Sequence, residues 1–189
     1  MKKIMILLSM TGFIGALHAQ DLKVGDKAPV FKAVDENGKT WDAANVIGKN
    51  VLVVYFFPAA FTGGCTAEAC AYRDHQDDFS KLGATVIGIS GDEPQNLAYF
   101  RKANNLNFTL LSDSDGKVAK AFGVTTRSGG DMQRQIDGKT VDLKRGITAM
   151  RWTFIIGKDG KIIYKDDAVN PSTDYDKTLN KIKETLAQK

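Results

Sequence analysis

Apolar positions along the chain fall into continuous runs separated by helically spaced ones. Residues 51–57, VLVVYFF, form an unbroken apolar and aromatic run, the pattern of a central strand buried on both faces. Residues 84–90, ATVIGIS, read as a second buried strand and residues 108–111 as a shorter third. Between them the spacing predicts a helix over about 65–82 stopped by Gly83, a helix over 94–104 with Asp92 or Glu93 near its N-cap, and a short helix over 115–122. Residues 30–34 and 40–41 flank Glu36-Asn37-Gly38-Lys39, a hairpin turn. A second hairpin is predicted where residues 152–156 and 161–164 flank Lys158-Asp159-Gly160. The chain closes on an amphipathic helix over 172–189, capped by Ser172 or Thr173, with Leu179, Ile182 and Leu186 toward the core. Residues 125–149 are polar without a strong period and read as a long loop or a small excursion.

No internal repeat, low-complexity tract or linker interrupts this order. Strands alternating with helices, then a closing hairpin and helix, describe an α/β protein with a central mixed sheet covered by helices on both faces. A thioredoxin-like fold fits that order.

The first residues stand apart from the domain. Lys2 and Lys3 precede a mostly apolar, uncharged stretch over 4–17, and Ala16-Leu17-His18-Ala19 ends in a small residue. This is the pattern of a cleavable signal peptide over 1–19, cut after Ala19, with the domain over 20–189. The stretch is short for a membrane span, so no membrane association is expected after cleavage. Export, and a periplasmic location, is the expectation. Removing Lys2 and Lys3 leaves 26 − 2 = 24 basic against 22 acidic residues, a net charge of +2. That balance is too weak, and its charges too well mixed, to point to nucleic acid.

Two cysteines remain, Cys65 and Cys70. In an exported chain two cysteines suggest one disulfide, either stapling the fold or working in chemistry. Both lie in Pro58-Ala-Ala-Phe-Thr62-Gly-Gly-Cys65-Thr-Ala-Glu68-Ala-Cys70, which leaves the C-terminal end of the central strand and enters a helix. Sites in open α/β sheets form beyond such strand ends. At a helix start, unpaired N–H groups and the positive end of the dipole stabilise a thiolate. By position alone, a small buried hydrophobe or half-cystine is as good a reading of Cys65. Thr62 is placed to be the helix N-cap, to orient a substrate oxygen beside the sulfur, or both. Gly63 and Gly64 permit close backbone approach, and Pro58 ends the strand and stiffens the loop.

The spacing of the cysteines is informative. On an ideal helix an offset of five places Cα atoms about 8–9 Å apart, whereas a disulfide needs less than about 7 Å. The bond therefore requires the helix to unwind, and closing so short a loop stabilises a fold by only about 2 kcal/mol. A disulfide made and broken during turnover accounts for the pair better than a staple does.

The pattern Pro58-x3-Thr62-x2-Cys65 resembles the peroxiredoxin active-site motif, and FFPAAFTGGCTAEACAYRD resembles the Q-type, or bacterioferritin-comigratory-protein, branch of that family. The likeness extends through Val24-Gly25-Asp26-Lys27-Ala28-Pro29, Leu111-Ser112-Asp113, Gly116 to Val124 and Arg151-Trp152-Thr153-Phe154-Ile155-Ile156. The resemblance implies a thiol peroxidase that needs no metal or organic cofactor. Cys65 would attack hydrogen peroxide or an organic hydroperoxide, Thr62 would hydrogen-bond to sulfur and peroxide, and Arg151 would hold the thiolate and the charge growing along the O–O bond. Pro58 and Gly64 belong to the same loop. Glu68, one helical turn past Cys65, would orient Arg151. The Cys65 sulfenic acid would condense with Cys70, and a thioredoxin-like or other dithiol donor outside the cytosol would reduce the disulfide. The branch includes monomers and weak homodimers.

Two positions depart from the branch. Gly63 stands where proline is common, and Trp152 stands where a small residue usually follows the arginine, so Trp152 either lines the pocket or packs outside it. His75, Gln76 and Asp78 read as ordinary polar residues of the helix that carries the cysteines. The competing enzyme class is an exported thioredoxin-like thiol-disulfide oxidoreductase, which normally separates its cysteines by two residues, whereas four lie between these. A copper-binding assembly protein needs a distant histidine, and after signal removal only His75 is left. A secreted domain with a purely structural disulfide is the non-enzymatic alternative.

Overall fold

The computed structural model describes residues 21–187; the signal-peptide expectation lies outside them. In chain order the strands are β1 (Lys32–Asp35), β2 (Thr40–Asp42), β3 (Val51–Phe56), β4 (Ala84–Ser90), β5 (Thr109–Ser112), β6 (Thr126–Ser128), β7 (Met132–Ile136), β8 (Lys139–Leu143), β9 (Ile147–Ala149), β10 (Trp152–Ile156) and β11 (Ile162–Asp166). The helices are α1 (Gly63–Asp74), α2 (Gln76–Lys81), α3 (Pro94–Ala103), α4 (Lys117–Ala121) and α5 (Asp174–Ala187).

Seven strands form the central sheet in the order β11-β10-β3-β4-β5-β1-β2. The β3-β4-β5 core is parallel, and β10 and β1 flank it antiparallel, so the sheet is mixed as expected. Every residue of β3 is buried, which explains its continuous apolar run. Its side chains alternate between two cores. Leu52, Val54 and Phe56 meet Phe122 and Phe154 on one face, covered by α4 and the N-terminal segment. Val51, Val53 and Tyr55 meet Tyr72, Phe79, Phe100 and Ile182 on the other, covered by α1, α2, α3 and α5. Gly88 on β4 is required by packing: a Cβ there would lie 2.7 Å from the Tyr55 hydroxyl and 2.9 Å from Leu110. Its absence lets the Tyr55 ring lie across the sheet.

One expectation needs correction, and one left open is settled. The single helix over 65–82 is two helices, α1 starting at Gly63 and α2 starting at Gln76. His75 separates them with φ −108° and ψ 12°, outside helical geometry. His75 is thus a junction, stacked on Tyr175 at 4.3 Å and 3.3 Å from Asp78, rather than a member of the helix that carries the cysteines. Gln76 and Asp78 belong to α2. The segment 125–149 is the small excursion rather than the long loop, built of four short strands. β6 pairs with β9, and β7 with β8 through the turn Asp137-Gly138, where both residues have positive φ, 50° and 77°. These are the torsions a two-residue type I′ hairpin requires.

Candidate active site

The site sits where β3 gives way to α1. Phe57 N–H donates to the Ile89 carbonyl at 3.0 Å, and Ala60 N–H to Asp92 Oδ2 at 2.8 Å. Ser90 Oγ also donates to Asp92 Oδ2, at 2.6 Å. The buried Asp92 carboxylate therefore ties the loop to the end of β4, an anchor that the sequence shows only as a residue near a helix start. Pro58 is half-buried at the strand exit. Phe61 has φ 63°, and Thr62 returns to extended backbone as the N-cap residue. The Thr62 carbonyl accepts from Thr66 N–H at 2.9 Å, but its hydroxyl caps nothing and donates to the Ala59 carbonyl at 2.9 Å. Of the expected roles for Thr62, helix capping is kept by the backbone and not by the side chain.

Cys65 lies in the first turn of α1, 1% exposed. Arg151 comes from the link between β9 and β10 and reaches both α1 side chains. Its Nη2 donates to Cys65 Sγ at 3.1 Å and its Nη1 to Glu68 Oε2. Glu68 is fully buried, so it is neither an exposed helix carboxylate nor is Arg151 part of a surface ion pair. Burial pushes the Glu68 carboxyl up to about 8, with Arg151 pulling the other way and Asp174 adding to the rise. Burial works against the charge of Arg151, but Glu68 and Cys65 outweigh it, and the pKa of the guanidinium is raised. Gly64 lies against this group: a Cβ there would meet Pro171 at 3.5 Å and Arg151 Nη2 at 3.6 Å, so anything larger than alanine presses on the guanidinium. At Gly63 a Cβ would meet nothing within 4 Å.

Cys70 is on the same unbroken helix, half-buried, with Sγ 3.9 Å from Asn104 Oδ1. Both cysteines are free thiols. The structure thus groups Cys65, Arg151, Glu68 and Gly64, puts Thr62 and Pro58 in the adjoining loop, and leaves Cys70 in separate surroundings. Trp152, next to Arg151, points to the opposite face of the sheet, where it packs beside Phe154 with Lys165 Nζ 4.7 Å from its ring. Strand alternation resolves that open question: Trp152 packs away from Cys65.

A buried polar cluster centred on Asp174 joins α1, β10 and α5. Asp174 Oδ2 accepts from Tyr72 Oη at 2.6 Å and Thr153 Oγ1 at 2.8 Å, and Thr178 Oγ1 donates to the Asp174 carbonyl at 2.7 Å. In sequence Asp174 has only the signature of an acidic residue opening a helix. Among the described residues no cluster of three His, Cys, Asp or Glu side chains could hold a metal ion, and no helix is long and apolar enough to cross a membrane.

A sheet with parallel strands at its centre, a buried cysteine in the first turn of the following helix and an arginine donating to its sulfur define a thiol-dependent peroxidase. The chain belongs to the AhpC/TSA family, whose model matches residues 24–165, and within it to the peroxiredoxins. It is 42% identical over 163 residues to peroxiredoxin Bcp of Escherichia coli, covering 86% of this chain and 97% of that one. It is 39% identical over 157 residues to the chloroplastic peroxiredoxin Q of Populus jackii, covering 82% of this chain and 65% of that one. Among solved structures it resembles peroxidoxin BcpB of Mycobacterium tuberculosis, with a TM-score of 0.72, 30% identity and coverage of 86% of this chain and 97% of that one. A PrxQ variant of Xylella fastidiosa shares the fold, with a TM-score of 0.73, 23% identity and coverage of 88% and 99%. The protein is a thiol peroxidase that takes a peroxide substrate and a thiol reductant.

Proposed function

We propose that Cys65 is the attacking thiolate, that Cys70 resolves the oxidised form as an intramolecular disulfide, and that the enzyme works outside the cytosol. The observation that carries the reading is Arg151 Nη2 at 3.1 Å from Cys65 Sγ, with its other arm held by the buried Glu68. A guanidinium so fixed stabilises the thiolate and offers N–H groups where negative charge grows along a breaking O–O bond. The Thr62 hydroxyl spends its proton on Ala59, which leaves Oγ1 free to accept the O–H of an incoming hydroperoxide.

In the first step the Cys65 sulfur bonds to the terminal peroxide oxygen and the O–O bond breaks. Sulfur is oxidised by two electrons to the sulfenic acid, and the departing oxygen takes up a proton as water or an alcohol. In the second, the Cys70 sulfur bonds to the Cys65 sulfur and water leaves. A dithiol donor then reduces the disulfide by two exchange steps, itself becoming a disulfide. The intact α1 holds the sulfurs too far apart for the second step, so its first turn must unwind between the two. Hydrogen peroxide and organic hydroperoxides are both compatible substrates, and no metal or organic cofactor takes part. For the 20–189 domain released from the 1–19 signal peptide, the donor is a thioredoxin-like protein or another dithiol of the periplasm. The enzyme acts as a monomer or weak homodimer.

The test is peroxide consumption by the mature protein with an added dithiol, across a series from hydrogen peroxide to bulkier hydroperoxides. Cys65→Ser is expected to abolish it; a wild-type rate in that variant sinks the reading. Cys70→Ser should complete one turnover and accumulate a sulfenic acid that a selective nucleophile traps. Loss of the first turnover in Cys70→Ser would instead remove Cys70 from the resolving role.

A further inference from the structure

We propose that Arg134, on the β7–β8 hairpin, is a positioning residue that clamps Phe61 and thereby holds the first turn of α1 in the form that presents Cys65 to peroxide. The proposal rests on the reading that Cys65 attacks and Cys70 resolves.

Phe61 is the last residue before the N-cap, and its φ of 63° lies in the left-handed region. For a bulky aromatic residue that backbone is unfavourable and persists only where its surroundings hold it. Two side chains do so. The Phe100 ring of α3 meets the Phe61 ring edge-on at 5.2 Å. Arg134 of β7 covers the ring, with its Cζ 5.1 Å from the centroid, and Nη1 donates to the Phe61 carbonyl at 3.2 Å. One guanidinium thus grips both the ring and the backbone of the residue that sets the path into the helix.

The hairpin is otherwise loosely joined to the site. The neighbours of Arg134 on β7 spend their side chains within the hairpin, Gln133 on Asp142 and Gln135 on Thr140. A groove of about 310 Å³, lined by Thr66, Asn104, Gln135 and Ile136 among others, runs between β7 and the α1 and α3 helices. Arg134 spans it at one end and the Lys102–Asp137 ion pair at 2.7 Å spans it at the hairpin tip. Arg134 is exposed, so its grip is weak enough to be released. When the first turn unwinds, Thr62 loses the helical bond to Thr66, and Phe61 is free to leave its unfavourable backbone once the clamp lets go. Removing the clamp therefore shifts the balance toward the unwound form without touching the thiolate or its arginine.

The experiment compares wild type, Arg134→Ala and Arg134→Lys as full mature chains. Rapid-quench alkylation gives the rate of Cys65 oxidation in the first turnover and the rate of disulfide formation after it. Mass spectrometry gives the peroxide concentration at which half of Cys65 is overoxidised to sulfinic acid, which a second hydroperoxide produces if Cys70 is slow. In Arg134→Ala the disulfide is expected to form about three- to tenfold faster, the size of losing one exposed cation–π contact and a charged hydrogen bond. The overoxidation midpoint should rise by the same factor, while the first-turnover rate changes by less than about twofold because the wound form still dominates. Arg134→Lys, which keeps the charge but not the planar fork, should fall between. Unchanged disulfide formation and overoxidation in Arg134→Ala overturn the clamp. So does a parallel fall of both rates with a lowered Tm, which is general damage. A wild-type chain that does not consume peroxide through Cys65 points to failure of the underlying reading instead.

Discussion

The two ends of α1 are built on different terms. At the first turn Gly63 and Gly64 are exposed, the N-cap side chain makes no bond to the helix, and the fixed contacts of the turn come from Arg151 and the Phe61 loop. Two turns on, Tyr72 is fully buried and stacked on Tyr55 at 4.8 Å, and its hydroxyl is bonded to both Asp174 and Thr178. Cys65 belongs to the first end, and Cys70 stands two residues before Tyr72 at the second. On the proposed resolution by Cys70, the helix must unwind to bring its cysteines together and must stop unwinding somewhere, and Tyr72 is placed to supply the stop. On the proposed reading one end of the helix carries the reactivity, while the other carries the fold.

That contrast is broken first at the anchored end. Tyr72→Ala removes a fully buried aromatic and one of the two hydroxyl donors to Asp174 Oδ2, and denaturant melts should show a loss of about 3–5 kcal/mol. A loss well under 1 kcal/mol would show that α1 is not anchored there. The intermediate effect concerns the middle of the helix. The Glu68 carboxyl is pushed up to about 8 from an ordinary 4.5 by burial, so between those pH values the folded protein keeps a proton that the unfolded chain has released. Stability therefore falls as pH rises through that window and levels off above it. In Glu68→Gln this contribution to the decline disappears, and melts from pH 4.5 to 8 should be flatter than wild type. An identical slope would remove Glu68 from the balance. The smallest effect sharpens the free end. Gly63 has open space at its Cβ position, and Gly63→Ala should stiffen the first turn by about 0.4–1 kcal/mol. Disulfide formation should slow about two- to fivefold and overoxidation should begin at lower peroxide, with global stability rising by no more than the same small amount. A faster disulfide in Gly63→Ala would contradict the idea that this turn resists unwinding.

Legibility followed the depth of burial. β3, β4 and the β10–β11 hairpin announce themselves by apolar runs and a Gly-containing turn, and they carry the sheet that positions the site. The β7–β8 hairpin does not, because Gln133, Arg134 and Gln135 are exposed and no alternation marks a buried face. Its Asp137-Gly138 turn was the available signal. The break at His75 has no breaker residue to announce it. Cys65, Thr62 and Glu68 were found in a contiguous motif. Arg151 lies 86 residues from Cys65, and only its likeness to a known strand brought it to the site. Asp174 and Arg134 act through contacts that span 102 and 73 residues, to Tyr72 and Phe61, and neither sits in a pattern that names its partner.

The intact first turn of α1 also bears on time and temperature. Helix–coil relaxation of a free peptide of ~20 residues takes about 0.1–1 μs, far faster than thiols exchange. If the first turn moves on that scale, winding and unwinding complete many cycles between one chemical event and the next. On the proposed resolution by Cys70, the helix would act not as a gate that delays the second sulfur but as a tax, scaling its rate by the fraction of time the turn is open. Warming enlarges that fraction, so sulfur–sulfur bond formation should steepen with temperature more than the attack on peroxide does, and warmth should make the enzyme harder to poison with its own substrate.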